Sequence, residues 1–197
     1  MRRLLLIRHA RTDADRRAAF PLDEPLDERG LDAVAWSDCR LGRGEALCSP
    51  ARRARQTAEA LGLEPQAVAE LDECDFGRWA GRTLAEISRE CPQDVRAWMT
   101  DPNAAPHGGE SLSRFLDRVG SWLDAQRRLD GRAIAVTHGG VIKAAVVRAL
   151  GAPPAAFWRI DVTPLAVTEL HSRPEGWTLS RANATVGVHL TPSGGTA

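Results

Sequence analysis

Two unbroken apolar runs set the pattern of the chain, Leu4-Leu5-Leu6-Ile7 near the N-terminus and Ala133-Ile134-Ala135-Val136 far downstream. Neither alternates with polar positions, which predicts strands buried on both faces of a mostly parallel sheet. Each run ends on a histidine, the first in Arg8-His9 and the second in Thr137-His138-Gly139-Gly140. In open α/β sheets, ligands collect beyond the carboxyl ends of the strands. A solvated turn is the ordinary reading of either histidine alone, and two central strands that end alike weigh against it.

Helical periodicity fills the intervals. Residues 30–41 carry Leu31, Val34 and Ala35 at helical spacing, with Trp36 alongside. A short strand is expected at 45–48. Ser49-Pro50 then reads as an N-cap and first helical residue, and the helix runs from Ala51 to a stop at Gly62. Residues 66–71 predict another strand, and 83–100 a helix in two pieces broken at Pro92. The strongest amphipathic pattern lies in 111–129, where Leu112, Phe115, Leu116, Val119, Trp122 and Leu123 share one face. A buried helix is expected at 140–150, and 165–171 with 177–180 predict a hairpin at the sheet edge. Residues 13–28, with Pro21 and Pro25, read as a loop across the mouth of the site.

This alternation predicts an α/β fold, a three-layer sandwich with a mostly parallel central sheet and an antiparallel edge. The chain of 197 residues fits a single domain over residues 1–190, with a small cap from about 72–110 and a flexible tail at 191–197.

Charge narrows the function. Lysine plus arginine and aspartate plus glutamate both number 26, so the net charge is zero. A nucleic-acid or membrane partner held by a broad basic surface is not expected, and anion recognition must be local. Residues 1–9 lack the architecture of a signal peptide, which points to the cytoplasm. Cys39, Cys48, Cys74 and Cys91 form no CxxC pair and read as free structural thiols.

The candidate chemistry follows. A neutral imidazole is a good nucleophile toward phosphorus, and a neighbouring guanidinium both forks onto phosphate oxygens and disfavours the imidazolium, so Arg8-His9 suits a phosphohistidine. On the helix after Ser49, the face bearing Ala51, Ala54, Ala58 and Leu61 must pack on the sheet. That turns Arg52 and Arg55 to solvent and leaves Arg53, beside Thr57, as the second phosphate clamp. Glu73 lies near Phe76 and Trp79, where apolar surroundings favour a protonated carboxyl fit for a general acid, with Asp72 and Asp75 as rivals. His138 precedes two glycines and a helix N-terminus, a setting for an anion. His107 either reaches the mouth of the site or is solvated in its loop, and His171 and His189 read as structural. Arginines around two histidines oppose a cation, so neither metal nor cofactor is expected.

Together these motifs identify the chain as similar to the histidine phosphatase superfamily, in the branch that includes cofactor-dependent phosphoglycerate mutase, fructose-2,6-bisphosphatase and α-ribazole phosphatase. The resemblance rests on Leu6-Ile7-Arg8-His9-Ala10-Arg11-Thr12, on Ser49 to Ala58, on Leu71-Asp72-Glu73 ahead of Phe76-Gly77 and Trp79, on Gly109-Glu110-Ser111, and on Val136 to Gly140. It implies a phosphoglycerate mutase-like fold and a metal-independent phosphatase acting on a small-molecule phosphomonoester. Implied roles are His9 as the phosphorylated nucleophile and Glu73 as the acid, the register selecting it over its rivals. Arg8, Arg53, His138 and Thr12 would bind phosphate, with His138 also catalytic and Glu110, Gly139 and Arg11 supporting. Dimers are frequent among such relatives, so a homodimer is the implied assembly. Three positions depart from the pattern: Ala10, where the signature has glycine, Asp15, where many relatives carry asparagine, and Arg11, which is expected to touch substrate. The basic insert of mutases is not apparent between Gly81 and Gly109, which favours a phosphatase over a mutase, and intact core residues speak against a non-catalytic scaffold. Phe76, Trp79 and Trp98 are the candidate walls of an apolar leaving-group pocket.

Overall fold

The computed structural model describes residues 1–35 and 41–185. Trp36, Cys39, His189 and the expected tail lie outside them. Six strands form one sheet: β1 (Arg2–Arg8), β2 (Glu45–Cys48), β3 (Gln66–Ala67), β4 (Gly131–Thr137), β5 (Val167–Arg173) and β6 (Gly176–Ala184), in the order β3-β2-β4-β1-β5-β6. β1 pairs in parallel with β4 along its whole length, Leu4 opposite Ala133 and Arg8 opposite Thr137. β2 pairs in parallel with β3 and β4, whereas β5 runs antiparallel to both β1 and β6. The sheet is therefore mostly parallel with an antiparallel hairpin edge, as the pattern implies.

Among the described residues there are seven α-helices: α1 (Asp13–Arg17), α2 (Glu28–Ala35), α3 (Arg52–Ala60), α4 (Leu84–Glu90), α5 (Pro92–Thr100), α6 (Leu112–Arg127) and α7 (Gly139–Ala149). The period of two along each central strand divides the core into two layers. Leu4, Leu6, Ala133 and Ala135 pack with Phe115, Val119 and Leu123 of α6 and Val141, Ile142 and Ala145 of α7. Leu5, Ile7, Ile134 and Val136 point the other way, onto Ala54 and Ala58 of α3. Both faces of β1 and β4 are thus dry, which is why their sequences carry no polar alternation. A third cluster, Trp79, Ile87 and Val95 with Phe76 and Trp98 against it, gathers residues of 72–110 around Phe20 from the segment after α1.

Three local expectations are corrected. Residues 13–28 are not loop throughout: Thr12 caps α1 in a reciprocal box with Asp15, and Ala18 ends it in the left-handed region at φ 50°. Ser49 is not the N-cap of α3; Ala51 holds that place without a side-chain bond of its own, and the Ser49 hydroxyl accepts from Ala51 N at 3.1 Å. The strand expected at 66–71 is only Gln66–Ala67, after which Ala69–Leu71 turn as a 3-10 helix. A further 3-10 turn, Pro154–Arg159, carries Phe157 and Trp158 without a periodic signal in the sequence.

Candidate active site

Parallel pairing carries β1 and β4 to the same edge, so Arg8-His9 and Thr137-His138 leave the sheet side by side. The rings of His9 and His138 lie 5.1 Å apart, centroid to centroid. Both histidines are buried. The Nδ1–H of His9 donates to the Ala10 carbonyl at 2.7 Å, which leaves the Nε2 lone pair facing inward. Burial, reinforced by the positive charge of Arg53, pulls the His9 pKa down to about 3, so the ring is neutral at physiological pH.

Arg53 comes from the first turn of α3 and is only 3% exposed. Its Nε donates to His9 Nε2 at 3.3 Å, its Nη2 to His138 Nδ1 at 3.1 Å and its Nη1 to the Leu22 carbonyl at 2.7 Å. The helix is tied to the strand end by Thr57, whose hydroxyl accepts from Ala10 N at 3.0 Å and donates to the Arg53 carbonyl at 2.8 Å. The helical-face argument that singles out Arg53 is matched by its burial, with Arg52 and Arg55 exposed.

Because Arg53 can only donate, His138 Nδ1 is the acceptor and its proton sits on Nε2. That Nε2–H meets the Ser49 hydroxyl at 2.8 Å, and Ser49 Oγ donates to Asp72 Oδ1 at 2.7 Å. A carboxylate thus stands behind His138 through one hydroxyl. Neither Ser49 nor Asp72 stands out from sequence spacing, since the relay joins three segments distant along the chain. Burial, with the positive charge of Arg53, holds the His138 pKa well below the usual histidine value.

Glu73 reaches the same space from the segment after the 3-10 turn. Its carboxylate accepts from Cys74 N at 3.0 Å and from Gly140 N, in the first turn of α7, at 3.2 Å. A Cβ on Gly140 would meet that carboxylate and displace it, so glycine lets Glu73 approach the start of α7 this closely. Glu110 stays outside the cavity and forms a two-pronged pair with Arg118 at 2.8 and 3.0 Å. Arg118 in turn donates to the carbonyls of Glu70, Asp72 and Glu73, clamping the loop that presents the acid. Nothing in the spacing around Arg118 announces this role, because its partners lie on a remote loop.

Arg8, His9, Thr12, Arg53, Glu73 and Gly139 all line one cavity of about 300 Å³, with Phe76 and Trp98 on its wall. His138 lies behind it, reaching the site through Arg53. Three expectations fail here. Arg11 is absent from the cavity lining; its Nε donates to Asp27 at 2.8 Å, bracing the start of α2. His107 neither reaches the mouth nor meets water: it is buried against Phe76 and Trp79. Trp79 likewise packs with Phe20, Ile87 and Val95 and is not on the cavity wall. Among the described residues, no group of three or more His, Cys, Asp or Glu side chains could hold a metal ion.

Asp15 pairs with Arg8 Nη2 while also accepting from Thr12 N at 3.0 Å. The remaining Arg8 contact is Nη1 to the Val162 carbonyl at 2.6 Å. A phosphate must therefore compete with a carboxylate for the guanidinium. Asp15→Asn keeps the cap acceptor and removes the charge, so the inhibition constant of inorganic phosphate should fall about fivefold, the equivalent of roughly 1 kcal/mol for a half-buried pair. A weaker phosphate affinity in that variant contradicts this account of Asp15.

The buried histidines also set an acid limit on stability. In the unfolded chain His9 takes up a proton near 6.5, whereas the folded chain resists doing so until about 3. Its contribution is present above 6.5 and drains away as pH falls through that window. Thermal melts across it should show a decline that is shallower in His9→Gln than in the wild type.

The comparisons with known proteins accord with this geometry. Residues 4–185 match the family model described as the histidine phosphatase superfamily (branch 1). The chain is 30% identical to an adenosylcobalamin/alpha-ribazole phosphatase of Salmonella typhimurium over 177 residues, covering 81% of this chain and 85% of that protein. It is 35% identical to a glucosyl-3-phosphoglycerate phosphatase of Mycobacterium tuberculosis over 178 residues, covering 80% and 78%. The crystal structure of an alpha-ribazole phosphatase from Shigella flexneri superimposes with a TM-score of 0.80 at 26% identity, covering 94% of this chain and 98% of that one.

Proposed function

Because the chain belongs to the histidine phosphatase superfamily, we propose that it hydrolyses a small-molecule phosphomonoester in two steps, through a phosphohistidine on His9. The observation that carries this reading is the convergence of one neutral imidazole with an inward Nε2 on two guanidiniums, Arg8 and Arg53, at a single cavity. The phosphatase activities named for its relatives support the reaction class.

A phosphomonoester dianion would draw Arg53 and Arg8 from their present acceptors onto its oxygens. His9 Nε2 then attacks phosphorus in line, and the ester P–O bond breaks. Glu73, in its acid form, gives its proton to the departing alkoxide, so the alcohol leaves neutral. The Glu73 carboxylate next takes a proton from water as that water attacks the phosphohistidine. Inorganic phosphate departs, and His9 and Glu73 return to their starting forms. As Arg53 turns to the phosphate, His138 Nδ1 loses its donor and takes one proton from solvent as the dianion binds, returning it when inorganic phosphate leaves. The Asp72 carboxylate behind Ser49 stabilises that imidazolium, which donates to the transferring phosphoryl group.

The test is phosphate release from a broad panel of phosphomonoesters in the presence of EDTA. Turnover at rates insensitive to the chelator is the expected result. Activity that is lost with EDTA and restored by a divalent cation contradicts the metal-free mechanism. Phosphoryl transfer to a phosphorylated acceptor that outpaces hydrolysis would favour a mutase.

A further inference from the structure

One cation in the site is left over by this mechanism. Of the 26 basic residues, 25 are arginine, and the single lysine, Lys143, stands at the cavity. It lies four residues beyond Gly139 on α7, one turn along the same face. Arg8, Arg53 and Arg118 all have hydrogen-bond acceptors, but Lys143, though half-buried, has no carboxylate within ion-pair distance among the described residues. Its one close neighbour in charge terms is a ring: Nζ lies 5.6 Å from the centroid of Phe157. Burial pulls its pKa below the ordinary lysine value, while the more distant Asp161 and Glu73 draw it back up.

Beside Lys143 opens a second cavity of about 170 Å³, walled by Phe76, Trp98, Phe115, Phe157 and Trp158. Glu73, Gly140 and Lys143 border both cavities, so the apolar space begins where the acid must meet the leaving group. Its rings stack edge to face, Trp98 on Trp158 at 4.7 Å and Phe157 on Trp158 at 5.1 Å, which gives the wall a fixed shape. A half-desolvated ammonium without an ion pair is costly unless a ligand supplies the opposite charge. An apolar wall with one such cation at its rim suits a ligand that is greasy in body and anionic at one point.

We propose that Lys143 is a specificity-determining residue, and that the substrate is a phosphomonoester whose organic part combines a ring-sized apolar body with a carboxylate that Lys143 binds. This rests on the phosphatase reading above and names the class of leaving group that it takes. Lysine at this position acts on the alcohol portion of the substrate and leaves the phosphoryl chemistry to His9 and Glu73.

A matched pair of esters separates the two levels of the argument: phenyl phosphate and 3-carboxyphenyl phosphate, with the wild type, Lys143→Met and Lys143→Arg. The readout is the ratio of the two kcat/KM values within each protein, so any general loss of activity cancels. The wild type is expected to favour the carboxylated ester about tenfold, through KM, as one charge-assisted contact would give. That preference should fall to about one in Lys143→Met and return in large part in Lys143→Arg. Turnover of both esters with a ratio near one in the wild type, or a ratio that Lys143→Met leaves unchanged, overturns the role of Lys143 while the phosphatase reading stands. Turnover of neither ester by the wild type contradicts the phosphatase reading and this inference with it.

Discussion

Replacing His9 by alanine should remove turnover of every phosphomonoester the wild type accepts, by roughly ten-thousandfold or more, which is the scale on which covalent nucleophiles fail when deleted. The fold has little reason to fail with it. His9 leaves the sheet after β1 is complete, and its backbone N–H donates to the Thr137 carbonyl at 2.8 Å, a bond that alanine keeps. The lost side-chain bonds are a local one to the next carbonyl and the one His9 Nε2 accepts from Arg53. Phosphate should still bind, because Arg8 and Arg53 remain, and Arg53 is relieved of an acceptor it shares with the ligand. A His9→Ala protein that melts like the wild type, binds phosphate and turns nothing over is the expected combination. Residual activity within tenfold of the wild type would place the nucleophile elsewhere.

The second large effect is expected at Glu73, and it depends on the leaving group. Glu73→Gln keeps one of the two acceptors, since Cys74 N and Gly140 N bond to different oxygens, but has no proton to give and cannot take one from water. For an alkyl phosphate, whose alkoxide is a poor leaving group, steady-state turnover should drop about 10²- to 10⁴-fold, the usual worth of a placed acid or base. With p-nitrophenyl phosphate the phenolate departs without help, so the first step survives while the second still lacks its base. The variant should then release one equivalent of p-nitrophenol rapidly and continue slowly. Equal losses on both esters, without a burst, would mean that Glu73 is neither acid nor base. Asp72 could then be examined as the proton donor, although its bond to Ser49 turns it toward His138.

Much of this arrangement is legible in one dimension because it depends on strands and on one helical face. β1 and β4 are apolar without alternation since both of their faces are covered, and parallel pairing then brings their terminal histidines together. Arg53 can be told from Arg52 and Arg55 because the alanine face of α3 must meet the sheet. What escapes the sequence is held by contacts across long separations. Ser49 resembles an N-cap by composition, yet its hydroxyl joins His138 to Asp72, and nothing in local spacing brings these three together. Arg118 is one of many arginines on α6 and α7 until its partners on the 70–73 loop are seen. Arg11 stands within the signature run but turns to Asp27, since the chain bends at Thr12 into a helix of five residues. So short a helix shows no period, and only its Thr-x-x-Asp capping box could have announced it. His107 is misread for the opposite reason: loop residues usually meet water, but this loop folds under Phe76 and Trp79.

The phosphoenzyme itself gives the most direct test of the central claim. Glu73→Gln mixed with p-nitrophenyl phosphate should accumulate it, and alkaline quenching followed by peptide mass spectrometry would locate the phosphoryl group. The account predicts one phosphoryl group on His9, stable in base and lost in acid, and none in the double variant that also carries His9→Ala. Product release with no covalent phosphate, or a phosphoryl group on any other residue, would contradict it.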